Sequence, residues 1–209
     1  LDHISFVAQP GQTIGIIGLT GSGKSTLIQL MSRFYDPTGG QILVDGIDLR
    51  KYDLDTLRRS IGLVSQDVFL FSDTAEGNIA FGNPEMPFDD VVHAARVAEA
   101  DAFIRKMPDG YDTIVCERGV GLSGGQRQRI SLARALAYNP SILLLDDTTS
   151  AVDMETEAAI QQALAASYSD KTVFIVAHRI SSVRHADLIL VLKDGAIAES
   201  GKHESLIRQ

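Results

Sequence analysis

Apolar residues recur along the chain with two spacings. Short, nearly continuous apolar runs occupy Thr13-Ile-Gly-Ile-Ile17, Ile61-Gly-Leu-Val64, Ile142-Leu-Leu-Leu145, Thr172-Val-Phe-Ile-Val-Ala177 and Leu188 to Leu192. Runs of this length bounded by turn residues predict strands, and those lacking polar alternation predict strands covered on both faces. Between them the spacing becomes helical, with Leu27, Ile28, Leu30, Met31 and Phe34 in one stretch and Val92, Ala95 and Val97 within 89–99. Ile130, Ala133, Leu136 and Ala137 continue that spacing within 127–138, and a further helix is predicted over 155–166. Shorter helices are predicted at about 54–59 and near Ser181. This alternation predicts an α/β fold with a mostly parallel central sheet.

Turn residues divide the chain further. Ile4, Phe6 and Ala8 alternate with polar residues ahead of Gln9-Pro-Gly-Gln12, which predicts a strand over 1–8 paired with the run that follows. Asp45-Gly46 and Lys193-Asp-Gly195 predict tight hairpins, and an antiparallel β subdomain is expected beside the parallel sheet. From Asp73 to Asn139 the pattern changes: loops at Asn83-Pro-Glu-Met-Pro87 and Met107-Pro-Asp-Gly110 separate helical stretches, and no strand is predicted. Residues 73–139 therefore read as a helical subdomain inserted into a core made of 1–72 and 140–209, with Gln66 near its entrance and Pro140 at its exit.

Composition narrows the function classes. Acidic residues outnumber basic ones, 27 to 19, for a formal net charge of −8, which argues against a nucleic-acid partner because phosphate backbones require clustered cations. One cysteine, Cys116, excludes an internal disulfide and reads as a small packing residue. No apolar run approaches the roughly 20 residues that span a bilayer. The chain opens on Leu1 in a predicted strand, which leads us to expect that it is cut from a longer protein.

The chemistry concentrates at strand ends. Gly18-Leu-Thr-Gly-Ser-Gly-Lys-Ser25 lies between a predicted strand and a predicted helix. Glycines there let backbone N–H groups turn inward, the helix start adds unpaired N–H groups and a positive dipole end, Lys24 supplies a cation for outer phosphates and Ser25 a hydroxyl for magnesium. Three further runs end in polar residues: Gln66, the pair Asp146-Asp147, and His178. Ligands of open α/β sheets bind at the carboxyl ends of strands, so one site can collect all four. A carboxylate at Asp146, closing a buried strand, requires a cation, and nucleotide-bound magnesium is the natural one. Gln66 on these grounds is either a metal or water contact or a solvated loop residue, and His178 either a phosphate or water contact or an edge histidine. Leu122-Ser-Gly-Gly-Gln126 has capping-box spacing ahead of a helix. Two glycines in a first helical turn each cost up to about 1 kcal/mol, which points to an anion approaching that N-terminus.

Together these motifs resemble the nucleotide-binding domain of ABC transporters over essentially the whole chain. Gly18 to Ser25 resembles Walker A, Gln66 the Q-loop, Leu122 to Gln126 the signature, Ile142 to Asp147 Walker B, Ser150-Ala-Val-Asp153 the D-loop and His178 the switch histidine. Gln66-Asp-Val-Phe-Leu-Phe-Ser72, Asn78-Ile79, Pro108-Asp-Gly-Tyr-Asp112 and Glu117-Arg-Gly119 resemble the exporter branch. The resemblance implies a P-loop NTPase core that binds ATP and Mg2+. Gly18, Thr20, Gly21, Ser22, Gly23, Lys24, Ser25 and Thr26 would hold nucleotide, Ser25, Gln66 and Asp146 the metal, and Asp147, His178 and Gln66 the catalytic roles. It also implies a head-to-tail dimer with a second nucleotide-binding domain, whose nucleotide would meet Ser123, Gly124, Gly125, Gln126 and Asp153. Attachment to transmembrane domains would place the domain on the cytoplasmic face of a membrane.

Three departures bear on activity. Asp147 stands where the family usually has glutamate, Thr148-Thr149 replaces the usual Ala-Thr, and Ile114 and Cys116 stand where exporters typically show Glu and Gly. This resembles the degenerate half of a heterodimeric exporter. The adenine-stacking aromatic of the family would lie upstream of Leu1, so weak ATP binding is expected of residues 1–209 alone.

Overall fold

A computed structural model describes residues 1–208, which divide into two compact units. The first takes in Leu1–Leu63, Pro140–Asp147 and the chain from Asp170; the second takes in Val64–Asn139 and Thr148–Ser169. The segment 73–139 lies within the second unit, together with residues 64–72 and 148–169.

In chain order the strands are β1 (Thr13–Gly18), β2 (Leu43–Val44), β3 (Ile47–Asp48), β4 (Ile61–Val64), β5 (Asp73–Thr74), β6 (Ile114–Val115), β7 (Ile142–Asp146), β8 (Thr172–Val176), β9 (Leu188–Lys193) and β10 (Ala196–Gly201). The α-helices are α1 (Lys24–Met31), α2 (Leu54–Arg59), α3 (Ala75–Ile79), α4 (Phe88–Val97), α5 (Asp101–Ile104), α6 (Gly124–Ala137), α7 (Met154–Ser167), α8 (Ile180–Val183) and α9 (His203–Leu206).

Six strands form the main sheet in the order β10-β9-β1-β8-β7-β4. β1 is parallel to β8 and β9, and β7 is parallel to β8. β10 closes the far edge antiparallel to β9 through the expected hairpin, with Asp194 and Gly195 at φ +49° and +81°. Period-2 alternation sends Ile14 and Ile16 of β1, Phe174 and Val176 of β8, and Leu190 and Leu192 of β9 into one cluster with Leu144 and with Leu27 and Ile28 of α1. Each such side chain contributes about 1.5–3 kcal/mol by leaving water. Val183 and Ala186 pack with Ile189 in a second cluster.

Residues 1–8 are not a strand. The reason is topological: the expected partner, β1, has both edges filled, by β9 and by β8. The alternation is nevertheless used, since Ile4, Phe6 and Ala8 pack against the first cluster and Phe6 meets Phe174 edge-on at 6.3 Å. The Asp45-Gly46 hairpin forms as expected, although only two residues pair on each side.

The second unit holds a pairing that periodicity did not predict, β5 with β6, two residues each. A polar knot beneath it fixes the local chain. Asn78, fully buried, accepts from the Phe71 N–H (2.9 Å) and donates to the Phe71 and Thr74 carbonyls (3.0 Å each). Arg134 of α6 donates to Asn78 Oδ1 (2.8 Å), the Asn78 carbonyl (2.7 Å) and the Phe69 carbonyl (2.9 Å), and its guanidinium lies over the Phe71 and Phe81 rings. Burial pushes the Arg134 pKa down, yet three oxygen acceptors hold its charge. α7 belongs to this unit because the Tyr168 hydroxyl at its end donates to the Leu136 carbonyl of α6 (3.2 Å). Asn78→Ala strands the Phe71 N–H and removes one acceptor of a buried guanidinium, so it should cost about 2–4 kcal/mol. Urea unfolding followed by a probe within 64–139 should show a lower midpoint; an unchanged midpoint would mean that the knot is not what holds this segment.

Candidate functional site

The parallel register places three chain segments at the carboxyl ends of the strands. Ile16, Val176 and Asp146 are partners across β1, β8 and β7, so Gly18 follows Ile16 by two residues, His178 follows Val176 by two, and Asp147 follows Asp146 directly. A site at the strand carboxyl ends is thereby fixed by backbone pairing rather than by any side chain.

The loop after β1 has the features of an anion cradle. Gly21 and Gly23 adopt φ +82° and +102°, a region that favours glycine, and Gly23 is the N-cap of α1. No side chain caps that helix and no acidic residue lies in its first turn, so its N–H groups and dipole face the loop uncompensated. Thr20, Gly21, Ser25 and Thr26 are exposed around it. Lys24 is buried, and its ammonium donates to the Gly18 (2.8 Å) and Leu19 (3.1 Å) carbonyls, tying the loop shut. Burial pushes the Lys24 pKa down, opposed by the carboxylates of Asp146 and Asp147. The Ser22 hydroxyl is buried with no hydrogen-bond partner, an open position that a bound phosphate would fill.

Asp146 is 7% exposed at the end of β7. Burial raises its pKa, as does the charge of Asp147, against the hydrogen bond from the Ser25 hydroxyl and the charges of Lys24 and His178. A desolvated carboxylate bonded to a hydroxyl is an all-oxygen donor pair of the kind magnesium accepts. Asp147 has a left-handed backbone, φ +51°, and its N–H donates to the Val176 carbonyl at 2.9 Å. Aspartate is among the few residues that enter this region readily. His178 is exposed at the same edge. Lys24, Ser25, Asp146, Asp147 and His178 thus form one electrostatic group within the first unit.

The remaining predicted residues belong to the second unit. Gln66 is exposed just beyond β4. Ser123 and Gln126 form the expected capping box on α6: the Gln126 N–H donates to Ser123 Oγ (3.2 Å) and the Ser123 N–H to Gln126 Oε1 (2.9 Å). Gly125 has a reason within the chain that sequence reasoning missed, since a Cβ there would stand 2.9 Å from the Ala151 carbonyl oxygen. Asp153 caps α7, accepting from the Thr156 N–H (2.9 Å) and hydroxyl (2.8 Å), and these bonds lower its pKa. The Asp-x-x-Thr spacing carries the signal for this cap, which sequence reasoning did not use. Thr148 is buried with an unpartnered hydroxyl. Cys116 is exposed and is not the packing residue that was expected, because its short segment turns at the surface ahead of Arg118 at φ +58°.

Comparison with known proteins gives one answer. The ABC transporter family profile matches residues 1–150. The uncharacterized ABC transporter ATP-binding protein YknU of Bacillus subtilis (strain 168) is 54% identical over 209 residues, covering 100% of this chain and 36% of its own. YgaD of the same strain, provisionally named a multidrug export ATP-binding/permease protein, is 48% identical over 99% of this chain and 36% of its own. The chain thus spans about a third of the length of the curated relatives it matches. The structure of a bacterial Atm1-family ABC exporter with ATP bound superposes with a TM-score of 0.92 at 45% identity, over 95% of this chain and 35% of that one. With the phosphate-loop geometry in place beside these matches, the chain belongs to the ABC transporter family, as an ATP-binding domain of the exporter type.

Proposed function

We propose that this domain binds and hydrolyses Mg-ATP to power export by a membrane transporter, and that hydrolysis at its own Walker site is weakened by Asp147. The observation that carries this reading is the grouping of Lys24, Ser25, Asp146, Asp147 and His178 at one sheet edge beside an uncapped helix N-terminus. Gly18, Thr20, Gly21, Ser22, Gly23, Lys24, Ser25 and Thr26 hold the phosphates, with Lys24 exchanging carbonyl partners for phosphate oxygens. Ser25 and Asp146 hold Mg2+, which when bound neutralises phosphate charge and polarises the phosphoryl group. Gln66 keeps the role that the resemblance gives it, on metal and water. His178 donates toward the terminal phosphate, and Asp147 takes the proton of the attacking water.

Asp147 is one methylene shorter than the glutamate usual at this position. A misplacement of about 1 Å costs on the order of 100-fold in rate, or ~2.7 kcal/mol. Its left-handed backbone is one that aspartate enters readily, while the shorter side chain weakens the base. A non-identical partner with an intact base would then turn over ATP at the site completed by Ser123, Gly124, Gly125, Gln126 and Asp153 of this chain. No helix among the described residues is long and apolar enough to cross a membrane; the transmembrane domains that this reading requires belong to the rest of the transporter. Through them the domain sits on the cytoplasmic face. Residues 73–139 act as the inserted helical subdomain that carries the signature.

Lys24→Ala removes the loop-closing cation and should lower Mg-ATP affinity at this Walker site at least about tenfold, read by titration with a fluorescent ATP analogue; unchanged affinity would remove the site from this loop. Asp147→Glu in the full-length transporter should raise turnover at this site about tenfold or more, measured as site-resolved phosphate release. No increase would mean that Asp147 is already an adequate base or that the base lies elsewhere, and the asymmetric reading would fail.

A further inference from the structure

Gln128 lies on α6 one turn beyond Gly125, so both residues face the same side of the helix. The loop of residues 149–153 packs against that face. Gln128 Oε1 accepts from the Ala151 N–H at 3.1 Å, and its Nε2 donates to the Ser150 hydroxyl at 3.2 Å. The helix and loop approach so closely here that a Cβ on Gly125 would stand 2.9 Å from the Ala151 carbonyl oxygen, and one on Gly124 3.2 Å from the Ala151 Cβ. Both ends of the loop are anchored independently on α7. Thr149 donates to the buried carboxylate of Glu157 (2.9 Å), and Asp153 caps α7.

We propose that Gln128 is a positioning residue that locks the 149–153 loop to the first turns of α6, so that the two segments this chain presents to a partner's nucleotide move as one piece. The inference rests on the head-to-tail reading above. An amide suits the task because it offers an acceptor and a donor from one planar group, matching the Ala151 N–H and the Ser150 hydroxyl. Gln128 is 7% exposed, so loss of either bond leaves a buried polar atom with one partner fewer. An apolar side chain of the same length fills the space and releases the loop. Thr149, through Glu157, and Asp153 would still hold the two ends, so residues 150–152 would loosen between those anchors rather than unfold.

The test uses the full-length transporter with its partner, and Gln128→Met as the shape-conserving variant. Amide hydrogen exchange at Ala151 without nucleotide should accelerate at least about tenfold, while Mg-ATP affinity at this chain's own Walker site stays within about twofold. Turnover at the partner's site, which this chain completes, should fall about tenfold in kcat with little change in KM. Ser150→Ala, at an exposed position, should produce a smaller fall alone and none on top of Gln128→Met. Accelerated exchange with unchanged turnover would overturn the proposal, as would unchanged exchange or full additivity of the two substitutions. Should the wild-type domains fail to close on ATP, as read by cross-linking, the head-to-tail reading itself falls and takes this inference with it.

Discussion

The parallel pairing of Thr13–Gly18 with a strand on each side is the constraint on which the rest depends. With both edges occupied, that strand is buried, and its end delivers the glycine-rich loop to the same level as Asp146 and Val176. Every charged group of the site follows from this register. The carboxylate of Asp146 is forced into a desolvated position by the strand that carries it, and Lys24 is drawn under the loop by two carbonyls at the strand's end. Each has its pKa pushed toward the neutral form by burial and pulled back by the other's charge. Such mutually dependent charges favour a ligand that supplies both phosphate anions and a divalent cation.

The second unit shows another use of the same physics. Its polar groups are spent on caps and knots rather than on a cradle: Ser123 with Gln126, Asp153 with Thr156, and Arg134 with Asn78. Residues that a motif assigns to a partner's nucleotide are thus also the residues that terminate helices. The two roles are compatible. A side chain already fixed by a cap presents its remaining atoms in one orientation, which favours binding by reducing the entropy lost on contact.

Strands, helices and the phosphate loop were legible because each rests on local pattern. The runs at 142–145 and 172–177 are too apolar to be surface, and the glycines of 18–25 have little other use beside a lysine. Other features were not legible. The segment 1–8 alternates like a strand, yet whether it pairs depends on which edges remain open, a property of sheet order that no local window contains. The two-residue pairing of Asp73–Thr74 with Ile114–Val115 joins positions too far apart, and too short, to leave a periodic trace. Gly125 was read as room for an anion, and the fold adds a neighbouring carbonyl from residue 151 that already claims the space. Asp147 was legible as a departure by identity alone, whereas its left-handed backbone is visible only in the structure.

The most direct test of the central claim is ATP affinity of the full-length transporter at this Walker site, measured with magnesium and with chelator, for the wild type and for Asp146→Asn. Magnesium should tighten binding in the wild type, and Asp146→Asn should abolish this gain while leaving chelator-condition binding within about twofold. A variant that keeps the full magnesium-dependent gain would contradict the assignment of Asp146 and Ser25 to the metal, and with it the reading of this sheet edge as a Mg-ATP site.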